Sequence, residues 1–238
     1  MKNRSLIAYK YIILLLGLAY AVGFYMKWDY MEAYAKATCI LVFALFYFKH
    51  SKRKHILFGG ALALFSITEV LKIYFKFNYI KFSVYTNITA ILGYTMLIAY
   101  IFSHLEVYKL IKKFWLHTLF LSVISIYIIY NLNSIIFNGH QISKFSIHYI
   151  SETVYNVCIL TLMSLSFLNF LYHDNKRSFL LFIISVFFCL AEIIQVPFLF
   201  LADQSALRFA YTLFYVAGYY FVYLYITTRY NKQFKVLH

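Results

Sequence analysis

The chain has 238 residues, 63% of them hydrophobic and 13% charged, with a formal net charge of +14 and a mean hydropathy of +0.73. A soluble domain carries about twice that charged fraction, so the composition excludes an ordinary water-soluble globular protein. A helix needs about 20 apolar residues to cross a bilayer, so the chain holds roughly eight such helices as one transmembrane domain, 1–238, with no room for a separate soluble domain.

The first apolar run, 5–26, follows a basic start and contains Ala19-Tyr20-Ala21, which matches a leader-cleavage pattern. Lys10 splits the start of the run and the hydrophobicity continues past Ala21, so an uncleaved helix is expected. The second run, 31–48, carries Lys36 and Cys39, and the stretch Lys49-His50-Ser51-Lys52-Arg53-Lys54 after it is a topology signal able to touch anionic head groups. Run 55–75 contains Glu69, with Lys72 three residues on, and run 83–103 contains Gly93 and Tyr100. Runs 114–136 and 149–171 follow, the latter with Glu152, Tyr155, Cys158 and Met163. Run 178–202 carries Cys189, Glu192 and Pro197, and run 207–228 carries Tyr215, Gly218 and Tyr219. These runs are too long and too evenly apolar for a membrane barrel. The expected fold is an all-α polytopic bundle of about eight transmembrane helices.

Basic residues set the orientation. With the N-terminus inside, the inner flanks hold 14 cations and the outer flanks five, Lys27, Lys76, Lys81, Lys144 and Arg208. Both termini are therefore expected in the cytoplasm, in a bacterial inner membrane, and the charge implies topology rather than nucleic-acid binding. The three cysteines lack metal spacing, and the eight histidines show no i, i+4 pairing, so no metal or cofactor is expected. Nucleophile-elbow, phosphate-loop and dinucleotide motifs are absent.

Glu69 and Glu192 lie inside apolar runs. Such a carboxylate is costly in a bilayer unless paired, hydrated or protonated, which marks it as a functional candidate. The two also recur in matching places. Lys36 and Cys39 in the second run correspond to Tyr155 and Cys158 in the sixth, Glu69 to Glu192, and Gly93 to Gly218, at offsets of 119, 123 and 125. That pattern implies a 4+4 parallel repeat, with halves 1–113 and 114–238 and a pocket where they meet. The plainer reading pairs Glu69 locally with Lys72 and lets Lys36 snorkel to the interface.

At these residues the chain resembles the YhhN-like lysoplasmalogenase family of eight-helix membrane proteins. Lys36 fits the family's second-span lysine, with Ala37 in place of the usual proline. Thr68-Glu69 stands where Gly-Asp is expected, and Ala191-Glu192 where Ser-Asp is expected. Tyr155 and Met163 match in identity and spacing. Tyr100 is the nearest match to a fourth-span histidine, and Tyr215 and Tyr219 stand for a Tyr-x-x-x-Gln. The resemblance implies a membrane lipid or lysolipid as substrate and cleavage of a lysoplasmalogen vinyl ether. Glu69 and Glu192 would be the catalytic acid and base, and Lys36, Tyr155, Tyr100 and Tyr219 substrate-binding residues. Two other functions remain open on the residues alone. One is a carrier or binding protein for an amphiphile, with proton- or cation-binding glutamates. The other is a structural membrane protein without chemistry.

Overall fold

A computed structural model describes residues 2–51, 55–74, 79–140, 146–200 and 205–228. Among them are nine helices and no strand: α1 Lys2–Tyr25, α2 Asp29–His50, α3 Ile56–Tyr74, α4 Tyr79–Phe102, α5 Val107–Lys113, α6 Trp115–His140, α7 Ile147–His173, α8 Lys176–Phe200 and α9 Ser205–Thr227. Seven of these, α2–α4 and α6–α9, are long and apolar enough to cross a membrane. Helix α1 runs for 24 residues, with a shorter apolar stretch, Tyr11–Tyr25. The protein is a polytopic helix bundle. Helix α5, seven residues with three lysines, lies outside the expected spans.

The helices alternate in direction. The ends of α2, α4, α7 and α9 and the starts of α3 and α8 meet at one end of the bundle, here the lower end, where Tyr47 bonds His55, His55 packs on Tyr100, His173 bonds His104 and Arg177 stacks on Tyr225. The end of α1 and the starts of α2, α4, α7 and α9 lie at the upper end, where Gly23 approaches Glu32, Arg208 donates to the Phe24 carbonyl and Asn87 bonds Glu152. Local chemistry fixes the corners. After α1, Lys27 takes a left-handed conformation with φ of 57°, and Trp28 N–H donates to the Gly23 carbonyl at 2.8 Å. A side chain at Gly23 would meet the backbone nitrogen of Glu32 at 2.8 Å, so glycine lets α2 start close by. Ser146 caps α7, accepting from the Tyr149 N–H at 3.2 Å. Helix α7 ends at a left-handed Asp174 with φ of 40°, and Asn175 Oδ1 caps α8 by accepting from the N–H groups of Arg177 and Ser178. Helix α8 continues through Pro197.

Burial separates core from periphery. Tyr20, Phe43, Phe46, Tyr47 and Tyr225 are almost wholly enclosed. Helix α6, by contrast, exposes Leu116, Leu119, Phe120, Val123, Ile126 and Tyr127. In water that surface would drive aggregation, whereas in a bilayer it meets lipid while the helix satisfies its own backbone. Cys39, Cys158 and Cys189 are free thiols.

The repeat is built into the packing. Helix α3 packs on α4 as α8 packs on α9, and α2 on α3 as α7 on α8. A side chain at Gly93 would meet the Phe65 ring at 2.8 Å, and one at Gly218 would meet the Phe188 ring at 3.0 Å. Phe65 crosses Tyr94 edge-on with centroids 4.9 Å apart, and Phe188 crosses Tyr219 edge-on at 5.7 Å. Each half thus places a phenylalanine of its glutamate-bearing helix over a glycine of the next helix. Tyr100 and Tyr225, at the same offset of 125, meet hydroxyl to hydroxyl at 2.9 Å.

Candidate functional site: two glutamates in one cavity

A cavity of about 100 Å³ lies where the halves meet, with room for several water molecules. Its walls are equivalent stripes of the two halves. Helix α3 supplies Phe58, Leu62, Phe65 and Glu69, and α8 supplies Leu181, Ser185, Phe188 and Glu192, at a constant offset of 123. Ile40 and Phe43 of α2 face Ile159 and Leu162 of α7, and Tyr94 and Leu97 of α4 face Tyr219 and Val222 of α9. Spacings of three and four residues keep each stripe on one helix face. From Phe58 to Glu69 the lining rises along α3 by eleven residues, roughly 16 Å. The upper end is polar, with Glu69, Lys72, Tyr155, Glu192 and Tyr215, and the lower part is an apolar slot.

The glutamates occupy equivalent positions with different neighbours. Glu69 and Glu192 are 8% and 7% exposed. The Glu69 carboxylate takes two cations, Lys72 Nζ at 3.1 Å and Lys36 Nζ at 3.5 Å. Glu192 instead accepts a hydrogen bond from the Tyr215 hydroxyl. The difference follows from the sequence, because the position equivalent to Lys36 is Tyr155. Lys36 also donates to the Tyr211 hydroxyl at 3.2 Å and sits 3.9 Å from the centre of the Tyr215 ring, where a cation is attracted by the ring face. A continuous path therefore joins the carboxylates, from Glu69 through Lys36 and Tyr215 to Glu192. Tyr155 meets Tyr94 at 3.4 Å between hydroxyls. Tyr219 presents a buried hydroxyl with no hydrogen-bond partner.

Of the residues singled out in the sequence, Glu69, Glu192, Tyr155 and Tyr219 line this cavity, and Lys36 contacts it through Glu69. Tyr100 does not. It lies six residues, roughly 9 Å, below Tyr94 on the descending α4 and lines a second cavity at the lower end. Glu152 accepts from Asn87 Nδ2 at 2.9 Å and is not among the lining residues. Tyr215 was the least visible member. Its position four residues before Tyr219, on the same face of α9, is the signal that marks it. No group of three His, Cys, Asp or Glu side chains suited to a metal occurs among the described residues.

No protein-family model, curated protein or solved structure matches the chain.

Proposed function

We propose that the protein is a membrane-embedded, lipid-directed hydrolase, similar to the YhhN-like lysoplasmalogenases. One observation carries the reading. Two glutamates 123 residues apart line the polar end of one cavity, whose remainder is an apolar slot along the bundle. The slot's direction suits a single-chain amphiphile, with its reactive bond beside the carboxyls, and at about 100 Å³ it must widen to admit the chain, since ligand pockets span about 300–1,000 Å³. The excess of basic residues in the inner flanks of the sequence supports a cytoplasmic lower end and cytoplasmic termini in a bacterial inner membrane by the positive-inside rule, with α1 as the eighth span.

The chemistry divides between the carboxyls. An acid delivers a proton to the outer alkene carbon of the vinyl ether, and the alkene electrons form the new C–H bond. The ether-bearing carbon becomes an oxocarbenium. Water attacks that carbon while a carboxylate takes its proton, and the hemiacetal collapses to a fatty aldehyde and a free glycerol hydroxyl. Glu69, held between two ammonium groups, is the carboxylate that activates water. Glu192, which accepts from the Tyr215 hydroxyl, is the proton donor. Lys36 and Tyr215 position the two.

The test is release of fatty aldehyde from a lysoplasmalogen by the purified protein in detergent. Positioned acid–base catalysis contributes roughly 10²–10⁴-fold, so Glu69→Gln and Glu192→Gln should each lose at least about 100-fold. A wild-type protein that releases no aldehyde sinks the reading. One feature favours a second reading, a binding or carrier protein for an amphiphile: one oxygen of Glu69 already carries both lysines. That reading expects saturable lysolipid binding without turnover.

A further inference from the structure

A second cavity, of about 250 Å³, opens at the lower end. It is separate from the glutamate cavity, although Leu181 borders both. Its polar lining comes from His55 before α3, Tyr100 and His104 at the end of α4, Asn169 and His173 of α7, and Arg177 with Asn175 at the start of α8. Arg177 and His55 are partly buried, and His104 and His173 form an exposed rim. The guanidinium of Arg177 stacks over the Tyr225 ring at 4.8 Å. His104 Nδ1 donates to the Tyr100 carbonyl at 2.8 Å, and His173 Nε2 donates to the His104 carbonyl at 3.0 Å. These bonds hold the rim rings in place.

We propose that this cavity is a binding site for a phosphate group, with Arg177 as its main cation, His55 as a further donor, and His104 and His173 as donors in their protonated form. Arg177 Nε and His55 Nδ1 are both buried without a hydrogen-bond partner. Buried nitrogens of that kind are costly unless a ligand or water completes them. No acidic side chain lines the cavity. Asp174, between the lining residues His173 and Asn175, caps α7 beside it. A guanidinium fork, three imidazoles and two side-chain amides supply more donors than the two oxygens of a carboxylate accept, and they suit the oxygens of a phosphate. Among the described residues, no three His, Cys, Asp or Glu side chains are placed to hold a metal ion together. His55 supports the assignment: burial, and then the charges of His104 and Arg177, lower its proton affinity below the usual value. An anion among the three would relieve that repulsion.

The phosphate could belong to a lipid head group at the membrane surface or to a soluble phosphate, and one experiment separates them. The full chain, purified in a maltoside detergent, is unfolded thermally with inorganic phosphate, with chloride at matched ionic strength, or in mixed micelles containing phosphatidylglycerol. Stabilisation by inorganic phosphate whose half-saturation rises about tenfold or more in Arg177→Gln supports the site and a soluble source. Stabilisation by phosphatidylglycerol alone, lost in that variant, supports the site and a lipid source. No stabilisation by either, or stabilisation undiminished in Arg177→Gln, overturns the proposal. Should Arg177→Gln fail to fold, the combined His55→Gln and His104→Gln variant is read by the same criteria. Glu192→Gln should keep the phosphate response, which separates this site from the hydrolase reading.

Discussion

The Lys36 ammonium and the Glu69 carboxylate face each other at 3.5 Å inside the bundle, with their side chains only 7% and 10% exposed. Lys72 stands closer to the same oxygen, at 3.1 Å, but its side chain is 34% exposed. Distance ranks Lys72 first, and burial reverses the order. Removing one partner of a buried pair costs about 3–5 kcal/mol, because a charge is left uncompensated. Removing a part-exposed partner costs about 1 kcal/mol or less. Lys36→Met should therefore destabilise the protein far more than Lys72→Gln, and Glu69→Gln added to Lys36→Met should recover much of the loss. Thermal unfolding of the wild type, Lys36→Met, Glu69→Gln and the double variant, with Lys72→Gln alongside, forms the cycle that checks this. Equal losses for the two lysines would show that burial does not govern the pair.

Gly93 and Gly218 offer a paired test of the repeat. Overpacking a core costs about 1–3 kcal/mol, and replacing helical glycine by alanine returns up to about 1 kcal/mol. Gly93→Ala should be the worse of the two, since its new carbon would meet Phe65 at 2.8 Å against 3.0 Å for Gly218 and Phe188. Phe65→Leu should ease Gly93→Ala and leave Gly218→Ala unaffected. Melting temperatures of the single and double variants decide it, and a Phe65→Leu effect equal on both glycines would refute the local contact.

Tyr215 and Tyr219 sit one turn apart on α9 and should behave oppositely. Tyr215→Phe removes the donor to Glu192, and a buried acceptor left unpaired costs about 1–3 kcal/mol. Tyr219→Phe removes a buried hydroxyl that has no hydrogen-bond partner, so stability should stay level or rise slightly. Chemical denaturation of both variants is the measurement. A large loss in Tyr219→Phe would reveal a partner for that hydroxyl.

The lower cavity should make stability depend on pH in a defined direction. His55 faces the Tyr47 hydroxyl, which accepts its backbone N–H at 2.7 Å. Around it also lie the rings of Tyr100 and His104, 4.9 and 5.3 Å away, and the charge of Arg177. Its folded pKa is lowered, whereas an unfolded histidine titrates near about 6.5. Between those values the unfolded chain binds more protons. The contribution is complete above about pH 6.5 and is lost as the pH falls through the folded value. His55→Gln should flatten the loss of melting temperature between about pH 7.5 and 5.5. A wild-type profile already flat over that interval would count against it.

Much of this was legible in the sequence, for identifiable reasons. The spans were readable because each apolar run is long, and the boundaries moved by only a few residues. Helix α5 was not, because seven residues with three lysines give no apolar run. The offsets 119, 123 and 125 were visible as letters, and only the packing of Phe65 on Gly93 and Phe188 on Gly218 gives them a geometry. Glu69 and Glu192 stood out because charge is rare in such runs. Tyr215 did not, since it is one of 25 tyrosines and its role depends on which face of α9 turns towards Glu192. Tyr100 resembled a site residue by span, but its depth along α4 places it with Arg177. The lower cavity gathers residues from four separate stretches of chain, which no local pattern reveals.

The hydrogen-bonded Tyr100 and Tyr225 bear on the energy economy of a cell. They line the basic chamber below and not the acid-bearing one above, and Leu181 borders both. Carboxyls in a channel open to both faces would short-circuit the proton-motive force. Two chambers kept apart would let ionisable chemistry sit deep in a membrane without opening a route for protons across it.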